Sequence, residues 1–196
     1  SHTVWVESYT KFKVLGRTVD DAAGEAFDKV ARTLGLGYPG GPAVSKAALG
    51  GNPKAYPLPT PHVEGKYNVS FSGLKTAVLN AVNQAKMQGE EVSVPDMAAS
   101  FQQRITDILA EKLLLAAGDL GAKKICLAGG VGANIALRQK LERGAKRLSA
   151  QLYLPELKLC CDNAAMVAAQ GYYEYLDGNV ADLTLNGLPT LNIDYR

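Results

Sequence analysis

Residues 123–138, KKICLAGGVGANIALR, allow few arrangements in a folded chain. An apolar run over 122–128 reads as a buried strand. It breaks at Gly129, Gly130 and Gly132, and a helical pattern follows at once. A strand that feeds a helix through a glycine turn is the first half of a strand–helix–strand unit, which points to an α/β domain. Such a turn leaves backbone N–H groups unpaired at the positive end of a helix dipole, where phosphates bind. No Lys-Ser/Thr pair follows the glycines, so this is not a Walker loop. Ile135 stands where a dinucleotide fingerprint would have its third glycine. The spacing alone is divided between a nucleotide site and a plain turn of small residues. Asn134, read here as lying in the first helical turn, could donate and accept hydrogen bonds toward a ligand.

The rest of the chain alternates in the same way. Val4, Val6, Phe12 and Val14 predict two short strands with a turn over 8–11. A helix is predicted over 19–34, capped by Thr18, with Ala23, Ala26, Phe27, Val30 and Leu34 facing the core; Gly35 and Gly37 end it. Further helices are predicted over 42–48, 73–88, 95–118 and on to 148, and strands over 67–72 and 151–155. Residues 50–66, rich in Gly, Pro and Asn, predict an extended surface loop. Asp162 is expected to cap a last helix. The chain is read as one region over 1–196, with 1–66 and 67–196 as sub-blocks.

Charge raises a separate question. Asp21, Glu25 and Asp28 fall at i, i+4 and i+7 of the first predicted helix. Like charges so spaced repel by about 0.2–0.5 kcal/mol per pair. The net charge of +2 is too small to argue for nucleic acid, which would have to meet a local patch. No apolar run approaches the roughly 18 residues of a membrane span, and no secretory signal is visible, so no membrane and a cytoplasmic setting are expected. Three cysteines, two of them adjacent, give neither a zinc spacing nor a disulfide framework, and Cys126 is expected to be buried.

Several stretches have a plain reading beside a functional one. Gly40-Gly41 is a tight turn, or a place where backbone approaches a ligand. Asp162 in CCDNAAM is a helix cap, or a metal ligand. The chain's two histidines, His2 and His62, are not spaced to help it. Ser72 and Lys75 in SFSGLKTAV read as a cap and a solvated lysine. The five basic residues of RQKLERGAKR, at 138–147, read as a solvated face.

Taken in order, DDAAGEAFDKVARTLGLGYPGGP, SFSGLKTAV, AASFQ, AGGVGAN and CCDNAAM resemble one family, the tRNA N6-adenosine threonylcarbamoyltransferases, formerly called O-sialoglycoprotein endopeptidases. The resemblance covers the C-terminal three-fifths of a member. It implies an α/β, actin-like (ribonuclease H-like) ATPase fold, shared with sugar kinases and heat-shock chaperones, with one lobe and part of the other present. It also implies transfer of threonylcarbamoyl from threonylcarbamoyl-AMP to N6 of the adenosine 3′ to the anticodon in tRNAs reading ANN codons. Carried over, Asp28 is implied to bind the adenylate or its ribose, Gly41 to lie against it, and Asn134 to bind it from the other lobe. Asp162 is implied to hold one divalent metal, iron(II) or zinc. The metal's two histidines, from an HxxxH motif, are absent from this chain. The residues SHT at 1–3 match the end of the family's SGGHT stretch. Many members are acidic where Ser45 stands. The implied partners are tRNA and, in bacteria, an inactive paralogue and a small ATPase.

The implied reaction is acyl transfer from a mixed anhydride with a good leaving group, so orientation and stabilisation of developing negative charge dominate. No Ser-His or Cys-His constellation supports the old peptidase label, and no covalent acyl-enzyme is expected. The isolated chain is expected to be inactive. Two alternatives are a sugar-kinase-like or chaperone-like ATPase, and an actin-like ATP-binding protein serving as a non-catalytic interaction subunit of the same complex.

Overall fold

A computed structural model describes residues 1–189 and 191–193. Strands β1 (His2–Val6) and β2 (Phe12–Arg17) form an antiparallel hairpin that pairs His2 with Arg17 and Val6 with Phe12. The amides of Glu7 and Ser8 donate to the Lys11 carbonyl and close its turn. Helices α1 (Ala23–Thr33), α2 (Gly40–Ala47), α3 (Ser72–Met87) and α4 (Val94–Asp119) follow. Then come β3 (Lys124–Cys126), α5 (Ile135–Arg147) and β4 (Gln151–Tyr153). β3 and β4 are parallel neighbours, with Ile125 opposite Leu152 and α5 as the crossover between them. The α/β class expected from the sequence is borne out.

α4 is the spine. Its 26 residues span about 39 Å. Pro95 in the first turn suits the helix start, and Asp96 beside it complements the dipole. Met97, Phe101, Ile105 and Ile108 on its first half are buried against α1, α2 and α3. The Phe27 and Phe101 rings meet edge to face, with centroids 5.2 Å apart, a geometry favoured by the ring quadrupoles. Farther along, Ala110 meets Leu137 and Leu141 of α5, and Ala117 meets Ile125 and Ala145. The main core takes residues from both sides of position 66, including Val44, Leu58, Val69 and Phe71. The 50–66 loop is pinned to α4: Asn52 N–H donates to Asp96 at 2.7 Å, and Tyr56 N–H donates to Ser100 Oγ at 3.2 Å.

The structure departs from expectation in four places. The strand expected over 67–72 shrinks to a single bridge between Thr18 and Val69, because α3 already starts at Ser72. Its N-terminus is capped from a distance. The Asp20 carboxylate accepts the N–H of Phe71 (2.8 Å) and of Ser72 (3.3 Å), and the hydroxyls of Ser70 and Ser72. Ser72 is therefore not the cap. Thr18 is not the cap of α1 either; its hydroxyl donates to the Asp21 carbonyl, and the helix starts only at Ala23.

Third, Cys126 is exposed. In a two-stranded sheet only one face of β3 is covered, so Ile125 is buried and its neighbours are not. Fourth, α6 (Ala164–Leu176) is capped by Asn163, which accepts from Met166 N–H at 3.0 Å, and not by Asp162. α6 contributes no buried residue and meets the hairpin through stacked Tyr9 and Tyr173 rings. Among the described residues no helix is long and apolar enough to cross a membrane.

Partial burial works to raise the Asp20 pKa, but the hydrogen bonds it accepts outweigh this and hold it at about 2. A carboxyl depressed in the fold stabilises above its ordinary pKa and loses that effect as pH falls. Asp20→Asn should lower stability by about 1 kcal/mol at pH 7, the usual size of a cap once solvent screening is allowed for. The gap from wild type should close between about pH 5 and pH 2 in chemical denaturation. An equal gap at both ends would contradict the assignment.

Candidate nucleotide site at the glycine turn

Asp28 sits on α1 where that helix crosses the start of α2. Its Oδ1 accepts the N–H of Gly40 at 2.7 Å, satisfying one of the N–H groups that a helix start leaves unpaired. The approach is too close for a side chain. A Cβ on Gly40 would stand 2.5 Å from Asp28 Cα and 2.6 Å from Phe27 O. Gly41 differs, since a Cβ there would find nothing within 4 Å. The close approach read from PGG thus belongs to Gly40 and is made to protein backbone, whereas Gly41 is open on its outer side.

The acidic stripe is relieved mostly by lysine. Lys29 Nζ lies 2.7 Å from Asp21 and 2.6 Å from Glu25, and these hydrogen bonds hold its pKa above the usual lysine value. Asp21 lies before the helix, and its Oδ2 is buried without a hydrogen bond among the described residues, with Lys75 Nζ 3.7 Å away. Lys75 therefore faces a carboxylate and is only half-exposed.

The 129–134 turn follows β3. Gly129 has φ of 85°, the left-handed region that favours glycine, and Gly130–Ala133 form one 3-10 turn. Asn134 is the N-cap of α5, one position before the helix. Its Oδ1 accepts Leu137 N–H at 3.0 Å. Its Nδ2 donates to Gln102 Oε1 at 2.9 Å on α4 and to Ser45 Oγ at 3.2 Å on α2. Ser45 Oγ in turn donates to Gln102 Oε1 at 2.7 Å. α2 is therefore held at its start by Asp28 and one turn later by Asn134, with Gly41 between the two. Sequence reasoning missed Gln102. No local signal marks it: Gln102 follows buried Phe101 but is followed by polar Gln103 and Arg104, as on a solvated stretch of helix.

The basic stretch 138–147 is not a solvated face throughout. Arg138 donates to the carbonyls of Gly132 (2.6 Å) and Pro155 (2.8 Å) and to Cys160 Sγ (3.2 Å). Lys140 reaches Asp107 (2.5 Å), Thr106 Oγ1 (2.8 Å) and Gln103 O (2.9 Å). Burial pushes its pKa down despite that pairing.

Asp162 is exposed, and no hydrogen bond among the described residues reaches its carboxylate. Arg138 ties nearby Cys160 to the glycine turn, but Asp162 itself is not joined to Asp28, Gly41 or Asn134. No three His, Cys, Asp or Glu side chains among the described residues are grouped to hold a metal ion. One free carboxylate does not fit a metal by itself.

The fold and turn define a mixed α/β protein with a strand–glycine turn–helix unit. The model of the family described as TsaD: tRNA N6-adenosine threonylcarbamoyltransferase matches residues 1–169, and the chain belongs to that family. Proteins named tRNA N6-adenosine threonylcarbamoyltransferase are similar to it. That of Desulfitobacterium hafniense is 53% identical over 98% of this chain, and that of Moorella thermoacetica 47% over 99%. That of Clostridioides difficile is 45% identical over 99%. The chain spans 57%, 57% and 58% of the length of these three relatives. A crystal structure of T. kodakarensis HypF shares the fold at a TM-score of 0.60 and 20% identity, over 81% of this chain and 20% of that one.

Gly40→Ala should cost about 1–3 kcal/mol, because backbone must move to admit the methyl group. Gly41→Ala should change stability by no more than about 1 kcal/mol, within the range of helix propensity. Thermal and urea unfolding of both variants measure the difference; equal losses would contradict the placement.

Proposed function

We propose that this chain supplies the adenylate-binding part of an acyltransferase that moves threonylcarbamoyl from threonylcarbamoyl-AMP to N6 of the adenosine 3′ to the anticodon in tRNAs reading ANN codons. The observation that carries this reading is the link from Asp28 through α2 to Asn134, with the open Gly41 between them. Relatives that carry the activity in their names support it.

In this proposal the α2 start and the glycine turn form one wall of the adenylate cleft. Asp28 keeps one oxygen on Gly40 N–H and offers the other to ribose hydroxyls, which are donors. Gly41 lets the ligand come close to α2. The 129–134 turn, at the α5 N-terminus, presents backbone N–H groups to phosphate oxygens. With the leaving group already good, these residues act by holding the anhydride in place while the amine approaches.

Asp162 is proposed as one donor to a divalent ion, iron(II) or zinc, with the other donors coming from residues this chain does not contain. We assign no chemical step to that ion. The actin-like fold, with one lobe and part of a second, belongs to the same proposal. So do the bacterial paralogue and small ATPase as partners.

AMP should raise the melting temperature of the wild-type chain saturably. Gly41→Ala should shift the unliganded melting temperature by no more than about 4 °C and lose most of that rise. Absence of any AMP effect on wild type, or an undiminished rise in Gly41→Ala, would overturn the reading. Given tRNA and threonylcarbamoyl-AMP, the isolated chain should form no threonylcarbamoyladenosine by nucleoside mass spectrometry; product above the protein-free control would contradict the assignment of only part of the site.

A further inference from the structure

Gln102 on α4 is where α2, α4 and the α5 cap meet. Its Oε1 accepts two donors at once, Ser45 Oγ at 2.7 Å and Asn134 Nδ2 at 2.9 Å. Its own Nε2 makes no hydrogen bond among the described residues. Only the oxygen is used, so the position needs an acceptor. The Asn134 carboxamide cannot rotate without losing either the Leu137 N–H bond or the bonds to Gln102 and Ser45. The backbone N–H of the same residue donates to Val131 O at 3.0 Å, so the residue whose side chain is held against α2 and α4 also closes the 130–133 turn. The anchor is firm: Phe101 beside Gln102 is fully buried, and Thr106 Oγ1 donates back to the Gln102 carbonyl at 2.6 Å.

We propose that Gln102 is a positioning residue of the adenylate site, acting through Asn134 and Ser45 as a shared acceptor that fixes the glycine turn against α2. The word adenylate here rests on the functional reading above; the acceptor role does not. A glutamate carboxylate can accept both hydrogen bonds in the same place. A methionine of similar length cannot, and it leaves Asn134 Nδ2 with Ser45 alone.

Hydrogen–deuterium exchange on the full chain tests the acceptor role without any ligand. Gln102→Met should speed exchange across 129–137 by about tenfold, the size of one lost hydrogen bond, and leave α3 unchanged. Gln102→Glu should match wild type at pH 7. Unchanged exchange in Gln102→Met, or equal acceleration in both variants, would overturn the proposal. Should Gln102→Met unfold, Ser45→Ala removes one donor without touching the α4 core. It should give a smaller acceleration confined to the same turn, and none there would overturn the proposal.

AMP titration by calorimetry then separates the two claims. Affinity should fall about tenfold in Gln102→Met and be kept in Gln102→Glu. If wild type does not bind AMP, the functional reading fails while the exchange result still decides the role of Gln102. If AMP binding is equal in all three, Gln102 does not position the site.

Discussion

The carboxamide of Asn134 holds the candidate site together. Its oxygen starts α5, and its nitrogen reaches α4 and α2, so one short side chain joins the end of a strand–turn unit to two other helices. Every bond is ordinary in length, and each is worth about 1 kcal/mol net. Their importance is geometric. A glycine turn has few side chains with which to hold itself in place, here Val131 against the core, and flanking contacts must supply the rest of that order. Asn134 fixes one end, and the Arg138 guanidinium, bonded to the Gly132 carbonyl, fixes the middle.

Acidic residues do parallel work at two other helix starts. Asp20 and Asp28 each lie outside the helix whose N-terminus they satisfy, Asp20 at α3 and Asp28 at α2. A carboxylate near a helix start is favoured by the dipole as well as by the hydrogen bond. The cluster of negative charge that looked unfavourable along one helix is thus divided between two sinks: the α2 start, which takes Asp28, and the Lys29 ammonium, which takes Asp21 and Glu25. A ligand is not required to explain why the fold tolerates it. A ligand remains the reason proposed for leaving Gly41 open.

The order of elements was legible because hydrophobic period changes from two to 3.6 along the chain, and long helices such as α4 state that period repeatedly. Boundaries failed where the deciding partner lies far away in sequence. The α3 start depends on Asp20, some 50 positions earlier, which no local pattern around Ser72 reveals. Cys126 was misplaced because an apolar run does not tell whether a sheet is covered on one face or both. For the site, the family resemblance singled out Asp28, Gly41 and Asn134; hydrogen bonds tie Asp28 and Asn134 to α2, which carries Gly41. Asn134 was assigned a ligand but not its structural bonds. Gln102 was invisible, since its partners are 57 and 32 positions away. The basic run misled for the same reason: Arg138 and Lys140 look solvated until the chain that covers them is in place.

The most direct measurement is a backbone and side-chain amide NMR titration of the full chain with AMP. Saturable shifts are expected at Asp28, Gly41 and Asn134, with the β1–β2 hairpin and α6 unmoved. Absence of saturable shifts, or shifts centred on the hairpin or α6, would contradict the claim that the α2 start and the glycine turn form one nucleotide-binding wall.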